Sequence, residues 1–328
     1  MKIENSNAPI IFLMGPTASG KTALAIEIIQ EAISQESTPK FESGFSGFEI
    51  ISVDSAMVYT QMDIGSAKPS DRELVLAPHH LIDFIDPKES YSVSQFCDDA
   101  TSLINDIHGR GKVPLLVGGT MLYFKALKDG LADMPKTDEK IRQQVKQDLD
   151  KNGLEFLHNE LKKIDPETAE RLHVNDSQRI TRAVEVFRMT GKALSIWHAE
   201  QKERALVNPH LSIALAPQDR AVLHQRIEQR FEQMLEAGFL DEVASLYYRG
   251  DLNLECPSMR SVGYRQIWQY MDGEMPLSEA RERSIIATRQ LAKRQYTWLR
   301  SWSDIQWFDP TNKGERAQAK LMINSLSK

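Results

Sequence analysis

The chain has 328 residues, 41% hydrophobic and 26% charged, with a formal net charge of −6 at neutral pH. That composition excludes a disordered chain, and no apolar run approaches the ~20 residues needed to cross a bilayer. A compact domain usually holds roughly 100–200 residues, so one large or two modest domains are expected. The two cysteines, Cys97 and Cys256, are far apart and form no C-x-x-C pair. Neither a zinc site nor a disulfide framework is expected, and a reduced, cytoplasmic protein is the plain reading. The acidic balance hides a basic segment. From Arg260 to Arg300 there are eight Arg or Lys against four Asp or Glu, a local +4, which leaves −10 for the rest. Such a segment can meet a polyanion or can be the solvated face of a helix.

In chain order, the apolar run Pro9–Met14 (PIIFLM) ends in glycine, as a buried parallel strand does. It runs into a glycine loop and reads as a strand, not as a signal peptide. A helix is expected over Thr22–Ile33, then an exposed Ser-, Gly- and Pro-rich loop over Ser34–Gly47. Phe48–Val53 is a second strand, ending at Asp54-Ser55. A third apolar stretch, Leu81–Ile85, reads as a strand stopping at Asp86-Pro87. Ser92 or Ser94 can cap a helix running to about His108. Val113–Val117 is another strand, ending in Gly118-Gly119-Thr120, with a helix over Met121–Lys128.

This alternation is the pattern of an α/β core with a mostly parallel sheet. From Asp129 it changes to charged sequence of helical period. Asp165-Pro166 opens one helix, and Asp176 caps another over Ser177–Thr190, closed by Gly191. Leu211–Ala216, between two prolines, looks like a last core strand, followed by helices to the end. The division expected is a core of 1–128 with 205–328 and an all-helical insertion of 129–204.

Gly15-Pro16-Thr17-Ala18-Ser19-Gly20-Lys21-Thr22 matches G-x-x-x-x-G-K-[ST] at every specified position, with a strand before and a helix after. This makes the core P-loop NTPase-like. Glycines let the backbone curl so that its N–H groups converge on phosphate oxygens, and the helix adds its positive end. Lys21 supplies a point charge on the phosphate, and the Thr22 hydroxyl a ligand for Mg²⁺. The loop specifies a diphosphate-like group; ATP is the usual tenant, but any pyrophosphate ester could fit.

Asp54 and Thr120 end their strands and should face the same crevice, because open α/β sheets bind ligands beyond the carboxyl ends of strands. Asp54 could take a proton from an acceptor, hold a metal through water, or simply cap the turn in DSAM. Thr120 could be functional or could cap the Met121 helix.

Several strings together resemble one family, the tRNA dimethylallyltransferases (tRNA isopentenyltransferases): GPTASGKT, SVDSAMVY with MDIGSAKP, LVGGTMLYFKAL, DSQRITRAVEV, RSVGYRQIW and TRQLAKRQYTWLRSW. The likeness runs from about Ile10 to Trp307. It implies transfer of a dimethylallyl group from dimethylallyl diphosphate to N6 of the adenosine just 3′ of the anticodon, with pyrophosphate leaving. The P-loop would then hold an isoprenoid diphosphate. Lys21, Thr22 with Mg²⁺, and the backbone amides would stabilise the leaving group. Thr17 and Ser19 would add hydroxyl contacts, and Arg230 a cation, although Arg226 lies one turn away. Asp54 would be the general base.

The resemblance further implies an RNA surface that meets the anticodon stem-loop. Asp54, Ser55, Ala56 and Met57 would meet the target nucleotide, with Thr120 and Arg142 among the RNA contacts. The anticodon arm would be met by Gln178, Arg179, Ile180, Thr181 and Arg182. A further segment comprises Arg260, Ser261, Val262, Gly263, Tyr264 and Arg265. The last comprises Lys293, Arg294, Gln295, Tyr296, Thr297, Trp298, Leu299 and Arg300, where cations interleave with aromatics as single-stranded RNA binding prefers. Ser34–Gly47 is longer than the family pattern suggests, and the isolated cysteines exclude the zinc finger of some eukaryotic members. A bacterial-type, cytoplasmic monomer is expected. Open rivals are a small-molecule P-loop kinase, a prenyltransferase of free adenine nucleotides, and a nucleotide-binding switch.

Overall fold

The computed structural model describes residues 3, 8–34, 45–131, 134, 138–200, 206 and 208–325. The chain begins with β1 (Ile10–Met14), α1 (Lys21–Ser34) and β2 (Phe48–Val53), then α2 (Asp71–Leu76), β3 (His79–His80), α3 (Val93–Gly109), β4 (Val113–Gly118) and α4 (Met121–Asp129). There follow α5 (Glu139–Ile164), α6 (Pro166–Arg171), α7 (Ser177–Thr190) and α8 (Leu194–Ala199). The chain returns through β5 (His210–Leu215), α9 (Arg220–Glu236), α10 (Phe239–Tyr247), α11 (Tyr264–Met271), α12 (Leu277–Arg300), β6 (Ile305–Phe308) and α13 (Lys313–Ser325).

The six strands form one sheet in the order β3-β2-β4-β1-β5-β6, and every pairing is parallel. β1 lies at the centre, with all five residues buried. Its side chains divide by the period of two that a strand imposes. Ile11 and Leu13 pack with Leu24 and Ile28 of α1 and Ala319 and Ile323 of α13. Phe12 meets Phe124 and Trp302 edge-on on the other face. Burial on both faces is why these strands read as continuous apolar runs.

Three details differ from the sequence expectations. Leu81–Ile85 is not a ladder strand: Leu81 and Asp83 have φ of 60° and 57°. The strand that pairs with β2 lies earlier, at His79–His80, through Ile50↔His79 and Ile51↔His80. Leu211–Ala216 is not the last strand, because β6 extends the sheet beyond β5, so the C-terminal part is not wholly helical. The short helix α2 adds an element between β2 and β3 beyond those expected, and Ser70 and Glu73 form a reciprocal capping box at its start. Most of the long Ser34–Gly47 loop, residues 35–44, lies outside the described residues.

Contacts divide the chain into a discontinuous unit, Met1–Phe124 with Val207–Lys328, and a continuous one, Lys125–Leu206. The continuous unit packs its own small core around Val145, Leu157, Leu161, Ile180 and Val184. Asp165 caps α6 through Thr168, and Asp176 caps α7, which Gly191 closes in the left-handed conformation. The discontinuous unit has a second core where α9, α10, α11 and α12 pack around Phe231, Phe239 and Tyr264.

Candidate active site

The strand order fixes the site. β2, β4 and β1 are neighbours, so their carboxyl ends bring the Asp54 turn, Gly118-Gly119-Thr120 and the P-loop to one edge of the sheet. α9 and α12 complete a cleft of about 990 Å³ that includes Ser19, Lys21, Asp54, Thr120, Arg230 and Trp298 in its lining.

The P-loop sits tightly on the sheet. A Cβ on Gly15 would lie 2.3 Å from the Leu215 carbonyl oxygen of β5, so only glycine fits there. Ser19 is fully buried, and among the described residues its hydroxyl has no hydrogen-bond partner. An unpaired buried hydroxyl is costly, and this one belongs to the loop whose chemistry is anion binding. Lys21 is half-buried and donates from Nζ to the Pro16 carbonyl at 2.8 Å. Burial, with the nearby Arg230 cation, lowers its pKa from 10.5 to about 7, against an upward pull from Asp54. Burial likewise lowers the pKa of Arg230, and Asp54 opposes it. Among the described residues Arg230 has no carboxylate within ion-pair distance. Arg226 also lines the cleft, but its charge acts on Asp309. Arg230 is therefore the cation of α9 that shares the field of Lys21 and Asp54.

Asp54 accepts hydrogen bonds at Oδ1 from the Ala56 and Met57 amides, at 2.8 and 3.2 Å. The turn-capping role weighed from the sequence is thus real, and it occupies one oxygen. Among the described residues no hydrogen bond or ion pair reaches Oδ2. Thr120 accepts from the Ser55 amide at 3.1 Å through its hydroxyl. That hydroxyl ties the ends of β4 and β2 together instead of capping α4.

A further part of the cleft wall is formed by Gly65 to Pro69, reached through the turn that begins at Asp63. Glu242 of α10 accepts from three successive amides, Asp63 at 2.8 Å, Ile64 at 2.7 Å and Gly65 at 3.0 Å. It also accepts from the Tyr264 hydroxyl at 2.6 Å. Lys68, its side chain 5% exposed, is held by Asp83 at 2.7 Å and the Tyr59 carbonyl at 2.9 Å. Local sequence pattern gave no signal for Glu242, because its partners lie about 180 residues away.

The residues expected to meet RNA separate by exposure. Gln178, Arg179, Arg142, Arg260, Arg265, Lys293, Arg294, Thr297 and Arg300 are exposed. Ile180, Tyr264 and Leu299 are fully buried core side chains, so the exposed neighbours must carry any RNA contact of those segments. Tyr296 is also buried, and its hydroxyl donates to the Pro217 carbonyl. Gln295 is buried between the P-loop and the β4 end. Residues of α12 recur every 100° around its axis, which splits the 293–300 segment between two faces. Arg294, Gln295 and Trp298 line the main cleft. Lys293, Tyr296, Thr297 and Arg300 line a separate pocket of about 320 Å³, with Arg220, His224 and Arg289.

Residues 57–302 match the model of the IPP transferase family. The chain belongs to the IPP transferase family. The P-loop and Asp54 precede the matched region, but solved structures cover them. The chain is similar to the full-length tRNA isopentenylpyrophosphate transferase of Bacillus halodurans, at 35% identity over 98% of this chain and 97% of that one, with a TM-score of 0.68. It is also similar to the tRNA delta(2)-isopentenylpyrophosphate transferase of Staphylococcus epidermidis, at 32% identity over 97% and 99% of the two chains, TM-score 0.66. A eukaryotic dimethylallyltransferase acting on tRNA matches at 28% identity over 97% of this chain and 80% of its own, TM-score 0.78. The P-loop of this prenyltransferase therefore belongs to a transferase of isoprenoid groups.

Proposed function

We propose that this enzyme transfers a dimethylallyl group from dimethylallyl diphosphate to N6 of the adenosine immediately 3′ of the anticodon in tRNA. The observation that carries the reading is the presence of two incomplete groups in one cleft. The first is the P-loop, with its Ser19 hydroxyl unpartnered among the described residues, together with the Lys21 and Arg230 cations. The second is the Asp54 carboxylate, with only one oxygen engaged among the described residues.

In this reading the P-loop, Lys21 and Arg230 hold the diphosphate. The bond between the allylic carbon and the diphosphate oxygen breaks, and its electron pair leaves on pyrophosphate. The N6 lone pair forms the new carbon–nitrogen bond. Asp54 takes the N6 proton, which matters because that lone pair is delocalised into the ring. The cations and amides stabilise the charge growing on the leaving group.

Among the described residues no cluster of three or more His, Cys, Asp or Glu could cage a metal. Mg²⁺ needs less, since it keeps waters and binds chiefly through phosphate oxygens. The Thr22 hydroxyl, in its P-loop position, fits that requirement and would hold the ion. Mg²⁺ would neutralise charge on the departing pyrophosphate.

The exposed cations on α7, before α11 and on both faces of α12 suit the anticodon arm. The reading takes the enzyme as a cytoplasmic monomer; no described helix is long and apolar enough to cross a membrane. The test is incubation with tRNA, Mg²⁺ and labelled dimethylallyl diphosphate, followed by mass analysis of the nucleosides. N6-dimethylallyladenosine at the position 3′ of the anticodon is expected. ATP turnover with no labelled nucleoside would favour the kinase reading instead.

A further inference from the structure

Gln295 stands in the middle of a basic, aromatic stretch of α12, and its segment is the kind that meets RNA. Its side chain does something else. It is 7% exposed. Its Oε1 accepts from the Thr17 amide at 2.9 Å, and its Nε2 donates to the Gly119 carbonyl at 2.9 Å. The first partner lies in the P-loop and the second at the end of β4. A Cβ on Gly119 would come within 2.4 Å of Nε2, so the loop leaves room for this amide and nothing more. The chain of contacts continues. Thr120, next to Gly119, accepts from the Ser55 amide, and Ser55 is next to Asp54. One amide thus spans the gap between the anion cradle and the loop that carries the base.

The chemistry selects glutamine. The Thr17 amide requires an acceptor and the Gly119 carbonyl requires a donor, and a carboxamide offers one of each. An aliphatic side chain of similar length would leave both backbone groups buried and unpaired. An ionised carboxylate would satisfy Thr17 and face the Gly119 carbonyl lone pairs. A protonated carboxyl would satisfy both again.

We propose that Gln295 is a positioning residue: it holds the P-loop in register with the Asp54 turn, and it does not contact RNA. The proposal rests on reading the cleft as the diphosphate site. It makes α12 a shared element, since Arg294 and Trp298 of the same turns face the cleft.

The test uses the full-length protein and inorganic pyrophosphate as the probe, without RNA, by calorimetry. tRNA affinity is measured separately by filter binding. Q295M is expected to weaken pyrophosphate binding about tenfold, the effect of losing a buried hydrogen-bonded partner, with tRNA affinity unchanged. Q295E carries the second readout. Burial raises a carboxyl pKa, so the Q295E deficit relative to wild type should be large at pH 8 and shrink toward pH 6. A merely structural role would not produce that pH-linked rescue. Wild-type pyrophosphate affinity in Q295M would overturn the proposal. So would weakened tRNA binding with intact pyrophosphate binding, or a Q295E deficit independent of pH. If the wild type itself binds no pyrophosphate, the diphosphate reading falls and this proposal with it. Should Q295M fail to fold, the Q295E pH series decides alone.

Discussion

Along the Asp63–Gly65 turn each of three successive amides meets the Glu242 carboxylate, and the Tyr264 hydroxyl completes the set. Elsewhere in the same cleft, among the described residues, the buried Ser19 hydroxyl has no hydrogen-bond partner and Arg230 no ion-pair partner. Both walls are loops rich in polar groups, and both pack on well-formed cores. What separates them is satisfaction. A saturated wall stabilises the fold by itself. An unsatisfied buried group costs about 1–3 kcal/mol, and it persists where a ligand supplies the missing partner. The proposed location of the diphosphate site rests on that contrast as much as on the glycine motif.

The contrast is most sharply tested at Asp54, which belongs to both kinds: one oxygen caps its turn, and the other has no partner among the described residues. Asp54→Ala should lower prenyl transfer on the order of 10²–10⁴-fold, the range expected for a general base. Donor affinity should stay near that of wild type. Full activity in a single-turnover assay would remove Asp54 from the chemistry.

The saturated wall should respond in stability instead. Glu242→Ala strands three amides and a tyrosine hydroxyl, and a loss of about 3 kcal/mol or more in urea unfolding is expected. Pyrophosphate affinity should be largely spared. A variant of unchanged stability but lost donor binding would invert the comparison between the walls.

The smallest expected effect is a pH dependence. Lys21 has a pKa near 7 in the free site because burial and Arg230 disfavour its charge. A bound anion favours that charge, so above about pH 7 binding must be accompanied by proton uptake. Donor affinity should therefore fall as pH rises beyond 7, and Lys21→Met should abolish that extra slope. The stability sign runs the other way. The unfolded chain holds the proton up to the ordinary lysine value, so between about 7 and 10.5 the Lys21 contribution to stability rises with pH. Calorimetry in buffers of different ionisation enthalpy measures the proton uptake directly, and no uptake at pH 8 would contradict the assignment.

The sequence made some of this legible and hid the rest for physical reasons. The P-loop, the strand ends at Asp54 and Thr120, and the capped helix α7 are local signals, written within a few residues. β3 and β6 are edge strands. β3 spans only two residues, and β6 has two exposed side chains among its four, Gln306 and Trp307, so neither shows the continuous apolar run of a central strand. Gln295 and Glu242 act across 278 and about 180 residues, and nothing in their neighbourhoods announces it. The segment from Lys293 to Arg300 reads as one cationic-aromatic unit, yet helix geometry distributes it between cleft, pocket and core.

The place of β1 in the sheet has a consequence for synthesis. Its two neighbours are β4, about 100 residues later, and β5, about 200 residues later. The Lys125–Leu206 unit is continuous and emerges between them. A chain leaving the ribosome at 5–20 residues per second can complete that inserted unit while β1, with β4 already made, still waits for its second neighbour, β5. The glycine loop is made well before the two residues that support it, since it rests on the Leu215 carbonyl and is held by Gln295. The motif thus takes its final shape only after about 280 further residues have followed it.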